Sequence, residues 1–119
     1  MMRSHIRIKR AYDPPASDDG TRILVDRLWP RGLKKENAAI DEWLKEIAPS
    51  TELRKWFGHA PERWKEFRRR YQLEIGQHPA ELKRLRELAR KGPVTLVYSA
   101  HDEEHNNATA LKDSLLNRA

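Results

Sequence analysis

The residues best suited to chemistry lie in one short run near the end of the chain, Tyr98–Asn107. Its two histidines, His101 and His105, are candidate catalytic residues because histidine exchanges protons near neutral pH. The same run supplies candidate ligand-binding residues, which are Tyr98, Ser99, Asn106 and Asn107. Capping of a helix by Asp102 explains part of this polarity. It leaves the histidines and asparagines without a structural role.

A second group of chemically capable residues follows an apolar run that begins at Ile23. The candidate ligand-binding residues of this group are Asp26, Arg27, Trp29 and Arg31. Arginine holds phosphate or carboxylate through charge-assisted hydrogen bonds, and tryptophan can stack on a planar group. A charged side chain on an apolar strand needs a partner or a ligand. Asp26 and Arg27 therefore either bind a ligand or form ion pairs with neighbouring helices.

Both groups lie at the carboxyl ends of predicted strands, and ligands of open α/β sheets bind beyond those ends. We expect the two groups to lie side by side and to bind an unidentified small polar ligand, such as a nucleotide or phosphate metabolite. Glu103 and Glu104 repel an anion at the start of the last helix, which favours a ligand with a polar or cationic end. The sequence identifies no reaction and no cofactor, and it leaves open whether the protein is an enzyme.

Two alternatives follow from other patterns. His101 and His105 are spaced four residues apart, as in a helical metal site, but His101 precedes the predicted helix, so we predict no metal. The net charge of +6 and basic runs such as Arg68–Arg70 indicate a nucleic-acid-binding module as the alternative function. Three of the four tryptophans fall on apolar helical faces, where core packing explains them better than base stacking.

Length and composition limit the class of protein. A chain of 119 residues fits one domain, which we place over residues 1–119. The absence of cysteine excludes disulfides, thiolate nucleophiles and cysteine-ligated metals. Charged residues make up 35% of the chain, which argues against a membrane span. The first ten residues lack the apolar segment of a secretory signal, so we expect a cytoplasmic protein.

Hydrophobic periodicity predicts the elements that must position these residues. Strands are predicted at about residues 5–11, at Ile23–Trp29 and at Val94–Tyr98. Helices are predicted over 40–47, 51–57, 61–75 and 82–91, and from about residue 102 onward. We expect the first two strands to pair antiparallel and the last two to be parallel. The predicted fold class is α/β, a small mostly parallel sheet of about three strands packed by four to five helices.

Three blocks of the sequence resemble the YeaO-like family of small bacterial proteins, a domain family of unknown function. They are Arg22–Gly32, Trp56–His59 and Tyr98–Asn107. Because the resemblance spans nearly the whole chain, it implies an α/β fold and a bacterial cytoplasmic setting, with no established reaction.

Overall fold

A computed structural model of the chain describes residues 6–116. Its centre is a four-stranded sheet in the order β1-β4-β2-β3, and every pairing in it is parallel. The strands are β1 (Ile6–Arg10), β2 (Thr21–Leu24), β3 (Glu42–Trp43) and β4 (Val94–Tyr98). The α/β class is confirmed, with four strands where about three were predicted. Residues 1–5, where the predicted first strand begins, lie outside the described part.

Five α-helices accompany the sheet within residues 6–116. They are α1 (Lys35–Ala38), α2 (Thr51–Phe57), α3 (Trp64–Ile75), α4 (Pro79–Lys91) and α5 (Asn107–Leu115). Short 3-10 turns occupy Ser17–Asp19, Lys45–Ile47 and Pro61–Arg63. Local signals set the ends of α2, because the Ser50 hydroxyl accepts a bond from the Leu53 amide at 3.1 Å and Gly58 adopts the left-handed conformation.

Alternation along the strands divides the apolar side chains between the two faces of the sheet. Ile23 and Val25 point with Leu96 into the main core, where residues of α2, α3, α4 and α5 pack. Leu24 and Val97 point to the opposite face, which has a smaller cluster with Trp29 and Trp43 at its edge. Both faces of β4 are covered, and all five of its residues are buried.

The second strand is predicted to extend to Trp29, but β2 ends at Leu24. Three further predicted features of the fold are wrong. β1 and β2 are not an antiparallel pair, because the fully buried β4 lies between them and is parallel to both. The segment 40–47 is not a helix but contains β3 and a 3-10 turn. There the Trp43 ring nitrogen donates to the Asp26 carbonyl oxygen at 2.7 Å, which fixes the segment along the edge of the sheet.

The third correction concerns the last helix. It begins at Asn107 rather than near Asp102, because the Asn106 side chain caps it by accepting from the Thr109 amide at 2.9 Å. The Asp102 carboxylate instead accepts from the amides of Glu104 and His105 within the preceding loop. This loop brings polar side chains back across the end of β4.

Candidate functional site

An open groove of about 1130 Å³ lies beyond the carboxyl ends of β1, β2 and β4. The segments after β2 and β4 form much of its wall, and residues of α2 and the start of α5 complete it. The two sequence groups predicted to lie side by side therefore border one groove. Of the predicted site residues, those that line it are Asp26, Arg27, Trp29, Arg31, Ser99, His101, His105, Asn106 and Asn107.

Asp26 joins the ends of β2 and β4 to the start of α5. Its Oδ2 accepts from the Ser99 amide at 2.9 Å and from the Ser99 hydroxyl at 2.6 Å, while Oδ1 accepts from Asn107 Nδ2 at 3.0 Å. Asn107 Nδ2 also donates to the Val25 carbonyl at 3.0 Å. The carboxylate is thus occupied by protein donors and makes no ion pair within the described residues, so its role in the groove is to position its neighbours.

Arg27 and Trp29 are held by backbone carbonyls. Arg27 donates to the carbonyl oxygens of Pro49 at 3.3 Å and Ala48 at 3.2 Å, and among residues 6–116 it pairs with no carboxylate, although the ion-pair alternative required one. Trp29 donates from its ring nitrogen to the Leu33 carbonyl at 2.6 Å, and its ring meets Trp43 edge-on with centroids 5.6 Å apart. Both side chains are therefore fixed parts of the groove wall.

Asp102 and His105 form an oriented pair in the same groove. The Asp102 carboxylate lies 2.9 Å from Nδ1 of the His105 ring. Hydrogen bonds from the His105 and Glu104 amides, and then from the His105 ring, lower the pKa of Asp102 to about 2. Because a carboxylate only accepts, Nδ1 carries the proton, and Nε2 of a neutral ring is left as an acceptor. The ring also meets Trp64 edge-on, with centroids 5.2 Å apart.

The other predicted residues have different surroundings. His101 is exposed and its Nδ1 lies 3.4 Å from an Arg10 guanidinium nitrogen. Tyr98 lies in the main core, 2% exposed, and is not among the lining residues. Burial raises the pKa of the Tyr98 phenol. Asn106 borders the groove but is occupied as the cap of α5 and as a donor to the Asp102 carbonyl at 3.0 Å.

Sequence reasoning missed several residues of the groove. Arg10 is the last residue of β1 and Tyr12 follows it, while His59 follows α2 in the left-handed conformation with φ of 58°. Arg54 and Lys55 project from the exposed face of α2. The helical periodicity of α2 predicts that Arg54 and Lys55 face solvent. No feature of the sequence predicts that α2 lies beside the carboxyl ends of the strands.

The groove is cationic. Its five cations, Arg10, Arg27, Arg31, Arg54 and Lys55, face two carboxylates, Asp26 and Asp102, so the lining carries 5 − 2 = +3 with neutral histidines. Glu103 and Glu104 are exposed and do not line it. Within residues 6–116, no three His, Asp or Glu side chains are grouped as a metal site requires. No helix in that range is both long and apolar enough to cross a membrane.

The fold and groove define a small parallel α/β domain with a cationic groove at the strand ends. No solved structure matches the chain. The family model DUF488-N3i, described as "Inactive DUF488-N3 subclade", matches residues 5–119, and the chain belongs to this family. The resemblance to YeaO-like proteins is likewise confirmed by the relatives.

Three relatives illustrate the extent of the similarity. The Escherichia coli (strain K12) "Uncharacterized protein YeaO" is 53% identical over 111 residues, covering 93% of this chain and 96% of the relative. The Mycobacterium bovis protein Mb3100c and the Mycobacterium tuberculosis protein Rv3073c are each 40% identical over 115 residues, covering 97% of both chains. The names of these relatives specify no reaction or ligand.

Proposed function

We propose that the groove binds a small anionic ligand through a phosphate group. The observation that carries this proposal is that three cationic side chains line the groove without a protein partner among residues 6–116. They are Arg31, Arg54 and Lys55. None of their side chains makes a hydrogen bond or ion pair with any residue in 6–116. Guanidinium and ammonium groups converging on one concave surface attract phosphate and form charge-assisted hydrogen bonds with it.

The carboxylates of the groove do not cancel this attraction completely. Asp26 is surrounded by three donated hydrogen bonds, and Asp102 likewise accepts three. Protein donors offset part of each negative charge, so the field in the groove is dominated by the cations. The repulsion expected from Glu103 and Glu104 is weakened because both side chains are exposed to water and lie outside the lining.

A binding role also agrees with the family description, which calls the subclade inactive. Nucleic acid is the less favoured ligand because Trp56, the aromatic side chain beside the basic run, is already engaged. The Trp56 ring is faced by the guanidinium groups of Arg63 and Arg70 at 5.4 and 4.3 Å. Arg69 and Arg70 of the basic run also pair with Glu66 at 2.7 and 2.8 Å.

The test is calorimetric titration of the protein with inorganic phosphate and pyrophosphate at low ionic strength. Arg54→Ala/Lys55→Ala should weaken pyrophosphate binding by about tenfold or more, as expected for loss of charge-assisted bonds of about 1.5–3 kcal/mol each. The matched control is Lys83→Ala/Arg86→Ala, which removes two exposed cations from α4, away from the groove.

Equal binding by both double variants would overturn the proposal, as would the absence of any phosphate binding at millimolar concentration. An oligonucleotide that binds with a steep salt dependence, where pyrophosphate does not bind, would support the nucleic-acid alternative instead.

A further inference from the structure

The floor of the groove is aromatic. Phe57 and Phe67 both line it although they belong to the main core and are only 6% and 2% exposed. Their rings stack with centroids 4.4 Å apart and an angle of 26° between the ring planes. Phe67 also lies 5.6 Å from Trp64, whose ring supports His105. A continuous aromatic cluster therefore extends from the core to the base of the cationic groove.

The rim of the groove adds an exposed apolar side chain. Leu28 follows β2, lines the groove and is 64% exposed. Leu73 on α3 is equally exposed at 64% but lies outside the groove. A single exposed leucine is ordinary on a protein surface. Leu28 is informative because it borders the same concave surface as the aromatic floor.

A bare phosphate would leave the exposed Leu28 side chain in contact with water, and a purely apolar ligand would leave the cations without a partner. The groove volume of about 1130 Å³ is also far larger than an inorganic anion needs and suits an organic ligand. Charge complementarity and apolar area are both satisfied by a ligand that carries phosphate at one end and a ring at the other.

Building on the proposed function, we propose that the ligand is a phosphate ester of a heteroaromatic ring, such as a nucleoside monophosphate. The ring lies against Leu28 and the small exposed part of Phe57, while the phosphate faces Arg54 and Lys55 of α2. His105 is the specificity-determining residue for the ring. Its Nδ1 is taken by Asp102 and its orientation is fixed by Trp64, so Nε2 is available to accept a hydrogen bond from an amino group on the ring, such as the 6-amino group of adenine.

The experiment compares the dissociation constants of inorganic phosphate, methyl phosphate, phenyl phosphate and adenosine 5′-monophosphate, with adenosine as the phosphate-free arm. The parent protein should bind phenyl phosphate at least tenfold more tightly than methyl phosphate. Leu28→Ser should weaken phenyl phosphate about three- to tenfold and leave inorganic phosphate unchanged. Leu73→Ser, an equally exposed leucine outside the groove, should change neither ligand. Both variants are at exposed positions, so neither should impair folding.

A second variant tests the specificity residue. His105→Phe keeps a ring against Trp64 but removes the acceptor nitrogen, so the preference for adenosine 5′-monophosphate over phenyl phosphate should fall at least threefold. An unchanged preference would overturn the role of His105.

The two proposals can fail separately. Equal affinity of the parent for methyl and phenyl phosphate would overturn the ring-bearing ligand while leaving phosphate binding intact. Adenosine binding as tightly as its monophosphate would instead overturn the proposed phosphate site.

Discussion

Asp26 offers the sharpest test of how the groove is held together. Asp26→Ala removes three hydrogen bonds to a charged acceptor, two from Ser99 and one from Asn107. Bonds to charged groups contribute about 1.5–3 kcal/mol each, but water can replace part of them at this half-buried position. Taking about 1 kcal/mol per bond, we expect a loss of about 3 kcal/mol. That is a large fraction of the roughly 5–15 kcal/mol that stabilises an ordinary domain.

Urea unfolding followed by circular dichroism measures this loss, and a double-mutant cycle with Ser99→Ala isolates the Asp26–Ser99 term. We expect a coupling energy of about 1–2 kcal/mol, within the range for directly contacting residues. The control is Asp18→Ala. That side chain is 73% exposed and pairs with Arg7 at 3.2 Å, so its loss should cost less than about 0.5 kcal/mol.

A result for Asp26→Ala that matches the Asp18→Ala control would refute this reasoning. Additive effects of Asp26→Ala and Ser99→Ala would do so as well. Either outcome would mean that the carboxylate is not what joins the ends of β2 and β4.

Three further changes have clear expected outcomes. Tyr71→Phe should cost about 1–3 kcal/mol in urea unfolding, because it leaves the buried Ile47 carbonyl without the phenol that donates to it at 2.6 Å. Gly20→Ala should cost about 2–4 kcal/mol, since φ is 67° and a Cβ atom would lie 2.1 Å from the Pro93 carbonyl oxygen. Asp102→Asn should lower the melting temperature at pH 7. Because the pKa of Asp102 is depressed to about 2 from 3.8, the stabilisation by its charge is present above about pH 4 and is lost toward pH 2.

The first two changes have matched control variants, and the third is tested by its pH dependence. Tyr12→Phe removes an exposed phenol that donates to the Arg31 carbonyl at 2.9 Å and should cost under about 1 kcal/mol. Gly92→Ala places a Cβ atom in open space and should be nearly neutral. For Asp102→Asn, the difference in melting temperature from the parent should shrink as the pH falls from 4 to 2. A constant difference would contradict the charge-based explanation.

The helices that sequence periodicity predicted well carry their own signals. In α2, Ser50 and Gly58 mark the two ends. In α3, inward spacing from Trp64 to Ile75 predicted the end of the helix at Ile75, whereas Pro61–Arg63, predicted as its first turn, forms a 3-10 turn. Such elements depend on local capping and on one apolar face, and both are visible in a single sequence.

Elements whose structure depends on a distant partner were not predictable in this way. Residues 40–47 have a helical spacing of apolar side chains, yet Trp43 pairs with Leu24 in the sheet and bonds to the Asp26 carbonyl. Similarly, Asp102 is a good helix cap by type, but Asn106 occupies that position in α5 and satisfies the Thr109 amide. Tertiary contacts override local preference in both cases.

The error in the predicted direction of β1 also explains why Arg10 and Tyr12 were not predicted to line the groove. The two predicted residue groups border the same groove because β2 and β4 are adjacent and parallel, as expected. An antiparallel β1 would have directed its carboxyl end to the opposite edge of the sheet. Because β1 is instead parallel to β4, with Arg10 paired to Tyr98, the residues that follow it arrive at the groove. Arg10 then donates to the Ala100 carbonyl at 2.9 Å, and its position beside His101 follows from strand direction alone.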